Sequence, residues 1–234
     1  MSEIGKCLAI IPARGGSRGL PRKNVLPLNG LPLIAYSILS AKETPEIGDI
    51  VVTSDNEEIL TVARGFGAET VVRPPELSGD VIMPDAALLH ALEKYRSWGR
   101  PEPEWVVFLQ PTSPLRFKGS ISNAIRKAHS SGADSLLSVN ATHGFLWRET
   151  PGGPISFSYD HRARPRRHDA PKDFIENGSL YVMRPDVLRT TKDRFGKKIA
   201  LYEMSEWEGY QVDTPAEFVW LETLIKTKPW EISS

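Results

Sequence analysis

Residues 7–24 read CLAIIPARGGSRGLPRKN. The first six, Cys7–Pro12, are a short apolar run closed by proline, the pattern of a strand buried on both faces. Ala13–Asn24 then sets Arg14, Arg18, Arg22 and Lys23 among Gly15, Gly16 and Gly19. Glycines let backbone N–H groups approach an anion, and the cations balance its charge. A solvated basic turn is the bland alternative, but the position directly after a buried strand favours an anion site. Neither the P-loop spacing nor GxGxxG occurs, so the common ATPase and dinucleotide readings fail.

Working outward, helical and extended patterns alternate. Leu31–Ala41 predicts a helix, Ile50–Thr53 a strand, and Asn56 caps a helix that Gly67 ends. Glu69–Val72 predicts a strand, Met83–Trp98 a helix, Trp105–Leu109 a buried strand, Phe117–Ser130 a helix and Ser135–Val139 a strand. This alternation predicts an α/β fold, a Rossmann-like, mostly parallel sheet with helices on both faces and loops gathered at the strand C-terminal ends. From Thr142 to Lys172 the chain is rich in Arg, His, Pro and Gly and weak in core periodicity. Regular structure resumes at Ser179–Met183, and Pro215–Lys226 predicts a closing helix. One domain over residues 1–234 with an arm at 142–172 is the expected organisation.

Composition narrows the function classes. In 234 residues, 29 Lys and Arg balance 29 Asp and Glu, so no global field recruits nucleic acid or an anionic membrane. Anions must be met by local clusters. Cys7 is the single cysteine, which leaves no internal disulfide or cysteine-rich metal site. His90, His129, His143, His161 and His168 have no metal-ligand spacing. With no apolar run long enough for a membrane span and no secretory pattern, a cytoplasmic location is the expectation.

Several short stretches occur in order along the chain: the Ala13–Asn24 loop, TSDNEEI at Thr53–Ile59, RPPEL with Asp80 at Arg73–Asp80, QPTSPLR at Gln110–Arg116, NGSLY at Asn177–Tyr181 and VDTPAEF at Val212–Phe218. Each is weak alone. Together they resemble the cytidylyltransferases that make CMP-N-acylneuraminate (CMP-sialic acid) and related CMP-nonulosonic acids. The resemblance implies a nucleotide-diphosphosugar transferase fold and a reaction joining a sugar acid to CMP at the expense of CTP.

It also implies residue roles. Arg14, Gly15, Gly16, Ser17 and Lys23 would hold the CTP triphosphate, and Asn24 and Arg73 the cytidine. Arg offers a planar fork and Lys a mobile point charge, which suits these tasks. Gln110 and Tyr181 would line the sugar pocket, and Arg167 would meet the sugar carboxylate, ionised at neutral pH. Ser54 and Asp55 read as turn and cap residues, and Arg116 as a residue decorating the next helix. The arm implies a homodimer. Catalysis would rest on Lys23, Arg14 and Asp213.

Two positions depart from the family. His168 stands where glutamine is commoner, and Gln211-Val212-Asp213 replaces the Asp-x-Asp expected to hold Mg²⁺. Residues i and i+2 of an extended segment share a side, so Gln211 and Asp213 are the expected metal pair. One carboxylate with the triphosphate is enough for Mg²⁺. The competing reading of Asp213 is an N-cap for the helix at Pro215. Activation of legionaminic, pseudaminic or 3-deoxy-octulosonic acid, or a non-catalytic nucleotide-binding relative, are the alternatives.

Overall fold

A computed structural model describes residues 4–17, 19–79, 83–166, 168–170 and 172–231. The chain runs β1 (Cys7–Pro12), β2 (Pro27–Leu28), β3 (Leu31–Pro32), α1 (Leu33–Lys42), β4 (Ile47–Ser54), α2 (Glu57–Gly65), β5 (Glu69–Val72), α3 (Pro84–Ser97) and β6 (Val106–Leu109). It continues through α4 (Ser120–Ser131), β7 (Ser135–Thr142), β8 (Trp147–Arg148), β9 (Ile155–Ser156), β10 (Asp173–Met183), α5 (Pro185–Thr191), β11 (Ile199–Glu203) and α6 (Pro215–Thr227). Among these residues no helix is long and apolar enough to cross a membrane.

Seven strands form one sheet in the order β11-β7-β10-β6-β1-β4-β5. β1 lies at the centre of its parallel half, paired with β4 and β6, and its side chains alternate between two cores. Cys7, Ala9 and Ile11 meet Ile34, Ile38, Leu60 and Ile125 on one face. Leu8 and Ile10 meet Leu88, Leu92 and Leu188 on the other. That two-faced burial is why the strand reads as a continuous apolar run. The expected mostly parallel sheet is present.

β10 is the exception, antiparallel to both β6 and β7. Its reversal brings its first half to the same sheet edge as the C-terminal ends of β1, β4, β5 and β6. Asn177 and Gly178 thus arrive beside Gln110, with Leu180 opposite Leu109. A register shift between Glu176 and Tyr181 accommodates the turn at Gly178, whose φ is +68°.

Some expectations need correction. Leu31 and Pro32 pair with β2, and α1 starts only at Leu33, because Pro32 sits outside the helix with extended ψ. β10 begins at Asp173, earlier than Ser179, since the end of β7 supplies it with backbone partners from Val139 to Thr142. β11 escaped the reading because its burial alternates too weakly on the sheet edge. The expected arm carries a small hairpin, β8 with β9, and an aromatic group of Phe145, Trp147, Tyr159 and His161. A third apolar cluster, Leu28, Leu33, Leu115, Val212, Leu221 and Leu224, seats α6 beneath the loops that follow β1 and β6.

Candidate active site

A cleft of about 390 Å³ opens at that edge. Its lining includes Arg14, Ser17, Lys23, Asn24, Arg73, Gln110, Gln211 and Asp213, drawn from four separate stretches of chain. Gly15 and Gly16 are in the same loop but are not among the lining residues. The Gly15 N–H donates to Asp55 Oδ1 at 2.9 Å, so it is directed at the end of β4 and not at the cleft. Gly16 is exposed, with open space around its α-carbon.

The loop after β1 is held at both ends. The Ala13 N–H donates to the Thr53 carbonyl at 3.0 Å, and Asn24 Nδ2 donates to the Arg14 carbonyl at 2.9 Å. Asn24 is buried, so its amide is committed to shaping the loop as well as facing the cleft. Arg22 takes φ +57° just before the short turn Lys23–Val25, which swings Lys23 inward.

Arg73 follows β5 and is buried. Its guanidinium donates to the Ala13 carbonyl at 3.3 Å and to Ser78 Oγ at 3.1 Å, and faces Asp55 at 3.5 Å. Burial draws its pKa down from the ordinary arginine value, and Asp55 opposes that. Asp55 is therefore neither cap nor idle turn residue: it bridges Gly15 and Arg73, while Asn56 caps α2 through the Ile59 N–H at 3.1 Å. The strand-end position of Asp55 was the only signal for this.

Gln110 ends β6. Arg116, expected at a helix surface, instead turns inward and donates to the Gln110 carbonyl at 2.8 Å, the Ser179 carbonyl at 2.6 Å and Ser37 Oγ at 2.9 Å. The corrected role follows from two carbonyls, just after β6 and within β10, that each accept from Arg116 beside a backbone N–H. Removal from water lowers its pKa, with Glu208 partly compensating.

At Gly178 the Gln110 and Gln211 amides converge: a β-carbon there would lie 2.5 Å from Gln110 Oε1 and 2.5 Å from Gln211 Nε2. Gln211 Nε2 donates to the Asn177 carbonyl. Tyr181 is buried one layer back, stacked on the cleft residue Phe108 at 5.1 Å between centroids, with its hydroxyl donating to Glu176. Arg167 lies outside the described residues, as do Arg18 and Asp80.

Asp213 faces the cleft with a well-exposed side chain, and Lys23 Nζ donates to its Oδ1 at 2.8 Å. It is not the N-cap of α6. Thr214 is, in a capping box with Glu217, because Thr214 and not Asp213 is one residue before Pro215 at the first helical position. The Asp213 carboxylate is thus left for the cleft. Among the described residues no group of three or more His, Cys, Asp or Glu could hold a metal ion. A hard dication still fits here, on one carboxylate that already receives a cationic group, with phosphate oxygens and water completing the shell.

In an open α/β sheet, a polar, cation-lined cleft at the strand ends is where such folds place their ligands. The chain belongs to the cytidylyltransferase family, whose pattern it matches over residues 8–145. It is 33% identical over 216 residues to N-acylneuraminate cytidylyltransferase B of Danio rerio, covering 91% of this chain and 49% of that protein. It is 32% identical over 232 residues to post-translational flagellin modification protein B of Campylobacter coli, covering 97% of each. The chain spans about half the length of the vertebrate relatives it matches, with 49% of the Danio rerio protein covered. In fold it is similar to a CMP:2-keto-3-deoxy-manno-octonic acid synthetase complexed with CTP, with TM-score 0.74, 19% identity, and 96% of this chain and 100% of that one covered.

Proposed function

We propose that this protein transfers CMP from CTP to the anomeric hydroxyl of a sialic-acid-type sugar acid, releasing pyrophosphate. The observation that carries this reading is the gathering of Lys23, Asn24, Arg73, Gln110 and Asp213 around one cleft, in a chain of the cytidylyltransferase family. The α-phosphate of CTP is attacked in line by the sugar hydroxyl, and pyrophosphate leaves on the opposite side. Such a site works mainly by positioning and by stabilising charge. Arg14, Ser17 and Lys23 would face the triphosphate, while the loop amides near Gly15 and Gly16 are shaped by Asp55 and Asn24. Arg73 and Asn24 would read cytosine and ribose. The buried Arg73 is pre-oriented by Ala13, Ser78 and Asp55, so a base that offers its remaining donors no acceptor leaves polar groups unpaired.

Mg²⁺ is the proposed cofactor, held by Asp213 with substrate oxygens, and when bound it would neutralise phosphate charge. Gln211 would join Asp213 through Oε1, since its amide nitrogen donates to the Asn177 carbonyl of β10. Gln110 would face the sugar, Tyr181 would support that wall through Phe108, and Arg167 would meet the carboxylate. The exposed Trp147, Ile155 and Phe157 of the 142–172 arm suit a second copy of the chain, so a homodimer, with residues 1–234 as one cytidylyltransferase domain, is part of the proposal. A cytoplasmic location goes with it. The likeness to the flagellin modification protein over nearly all of both chains supports a related nonulosonic acid as the second reading.

The test is pyrophosphate release from CTP, ATP, GTP and UTP, each with N-acetylneuraminic, legionaminic, pseudaminic and 3-deoxy-octulosonic acids. Release confined to CTP and one or two acids is expected. No release with any acid under Mg²⁺ would sink the enzymatic reading.

A further inference from the structure

Asp213 is fixed from several sides. Its N–H donates to Glu217 Oε2 at 2.8 Å, and the preceding Val212 N–H donates to the Thr112 carbonyl at 2.8 Å. Its own carbonyl rests against Gly19, where a β-carbon would overlap it. The backbone that carries the carboxylate is therefore held in place at the cleft, and what can change is the cation the carboxylate faces. Lys23 reaches it on a flexible stem from the loop after β1, with 11% of the lysine side chain exposed and 59% of the aspartate. Among the described residues Glu217 is the second carboxylate that Lys23 feels, and it is already engaged. Glu217 Oε2 is taken by the Asp213 and Thr214 N–H groups and by the Thr214 hydroxyl. Gln211 is neutral and its Nε2 donates to the Asn177 carbonyl.

Resting on the nucleotide and metal roles proposed above, we infer that Lys23 is the internal counter-ion of the metal carboxylate, so that Asp213 takes a divalent cation only as a triphosphate draws Lys23 away. A dication approaching the free site meets an ammonium on its ligand. A triphosphate approaching the free site meets a lysine already neutralised by Asp213. Each ligand removes the obstacle to the other, and such coupling is reciprocal. Lys23 is on this account a positioning residue for the metal as well as a phosphate contact. The protein in this form prefers the metal–nucleotide complex to either component alone.

The experiment measures Mn²⁺ binding by electron paramagnetic resonance and calorimetry, with and without CTP, in the full chain. Wild type is compared with Lys23→Met, Lys23→Arg and Asp213→Asn, each checked for a native melting transition. Without nucleotide, Lys23→Met should bind Mn²⁺ on the order of tenfold more tightly than wild type, because a like charge has left the ligand. Its CTP affinity should move the other way. Lys23→Arg should keep the weak wild-type Mn²⁺ affinity, since its charge remains. CTP should tighten Mn²⁺ binding far more in wild type than in Lys23→Met. Unchanged or weaker Mn²⁺ binding in nucleotide-free, folded Lys23→Met overturns the counter-ion role while leaving Asp213 as a ligand. Wild-type Mn²⁺ binding by Asp213→Asn in the presence of CTP overturns the metal assignment itself.

Discussion

Gly178 is the point where the fold and the cleft constrain one another most tightly, and Gly178→Ala tests that. Its φ of +68° is a region that an L side chain enters at a cost of about 1–2 kcal/mol. An alanine β-carbon would also lie 2.5 Å from Gln110 Oε1 and 2.5 Å from Gln211 Nε2, far inside contact distance. Both obstacles are the ends of flexible side chains, so the amides move and the backbone stays. Moving Gln211 breaks its hydrogen bond to the Asn177 carbonyl, worth about 1 kcal/mol net. The sum is about 2–3 kcal/mol. For a chain of this size that lowers the melting temperature by roughly 4–12 °C.

The variant should therefore fold, with the damage concentrated where Gln110 and Gln211 meet, the side of the cleft proposed for the sugar acid. Differential scanning calorimetry reads the first effect. Pyrophosphate release at varied sugar acid and at varied CTP reads the second, and kcat/KM for the acid should fall more than that for CTP. Gly16→Ala is the control for stability, because open space surrounds that glycine and no left-handed backbone is required there. A Gly178→Ala protein with the wild-type melting temperature and the wild-type kcat/KM for both substrates would refute the reasoning.

Three further outcomes are expected. Asp85 and Arg194 form a buried pair in which the carboxylate accepts from the Arg194 N–H and Nε at 2.9 Å each and from its terminal nitrogen at 2.5 Å. Asp85→Ala strands that cation beneath Phe108 and Tyr181 and should cost about 3–5 kcal/mol in urea unfolding; a loss below about 1 kcal/mol would contradict it. The Asp213 and Thr214 N–H groups hold the Glu217 carboxyl below its usual range. Its folded-state pKa is depressed, so its contribution is present above the ordinary carboxylate pKa and is lost as pH falls through the folded value. The drop in urea midpoint between pH 7 and pH 3.5 should accordingly be smaller in Glu217→Gln than in wild type, and equal drops would count against the capping role. Burial pushes the Cys7 thiol up to about 12, with Glu104 and Glu46 adding to the effect. Ellman's reagent should leave it untouched in the native protein at pH 8 and titrate it in guanidinium, and rapid native labelling would disprove its burial.

Much of the fold was legible in local patterns. β1 announced itself because both faces are covered, and Asn56, Gly67 and the Thr214–Pro215 step carry cap chemistry that acts within one helical turn. The loop of glycines and cations pointed at an anion. The ordered motifs and the resemblance they carry named Arg14, Ser17, Lys23, Asn24, Arg73, Gln110, Gln211 and Asp213 of the cleft lining, but also Gly15, Gly16 and Tyr181, which do not line it. Where local pattern misled, a distant partner had intervened. Arg116 looked like a surface residue until the carbonyls of Gln110 and Ser179 claimed it, and Asp55 read as a turn or cap residue until Gly15 and Arg73 claimed it.

By itself, the sequence determined the alternation of helices and strands, the two-faced burial of β1, the polarity of the loop after it and the family. These depend on period, composition and spacing, which are properties of neighbours along the chain. Only the tertiary structure decided that β10 runs backwards, that Gly178 thereby meets Gln110 and Gln211, and that Lys23 rests on Asp213. Those contacts join residues far apart in the chain, and they exist because sheet pairing and the seating of α6 bring those polar groups within reach of one another. The pairing between a lysine and an aspartate 190 positions away leaves no trace in any local window of sequence.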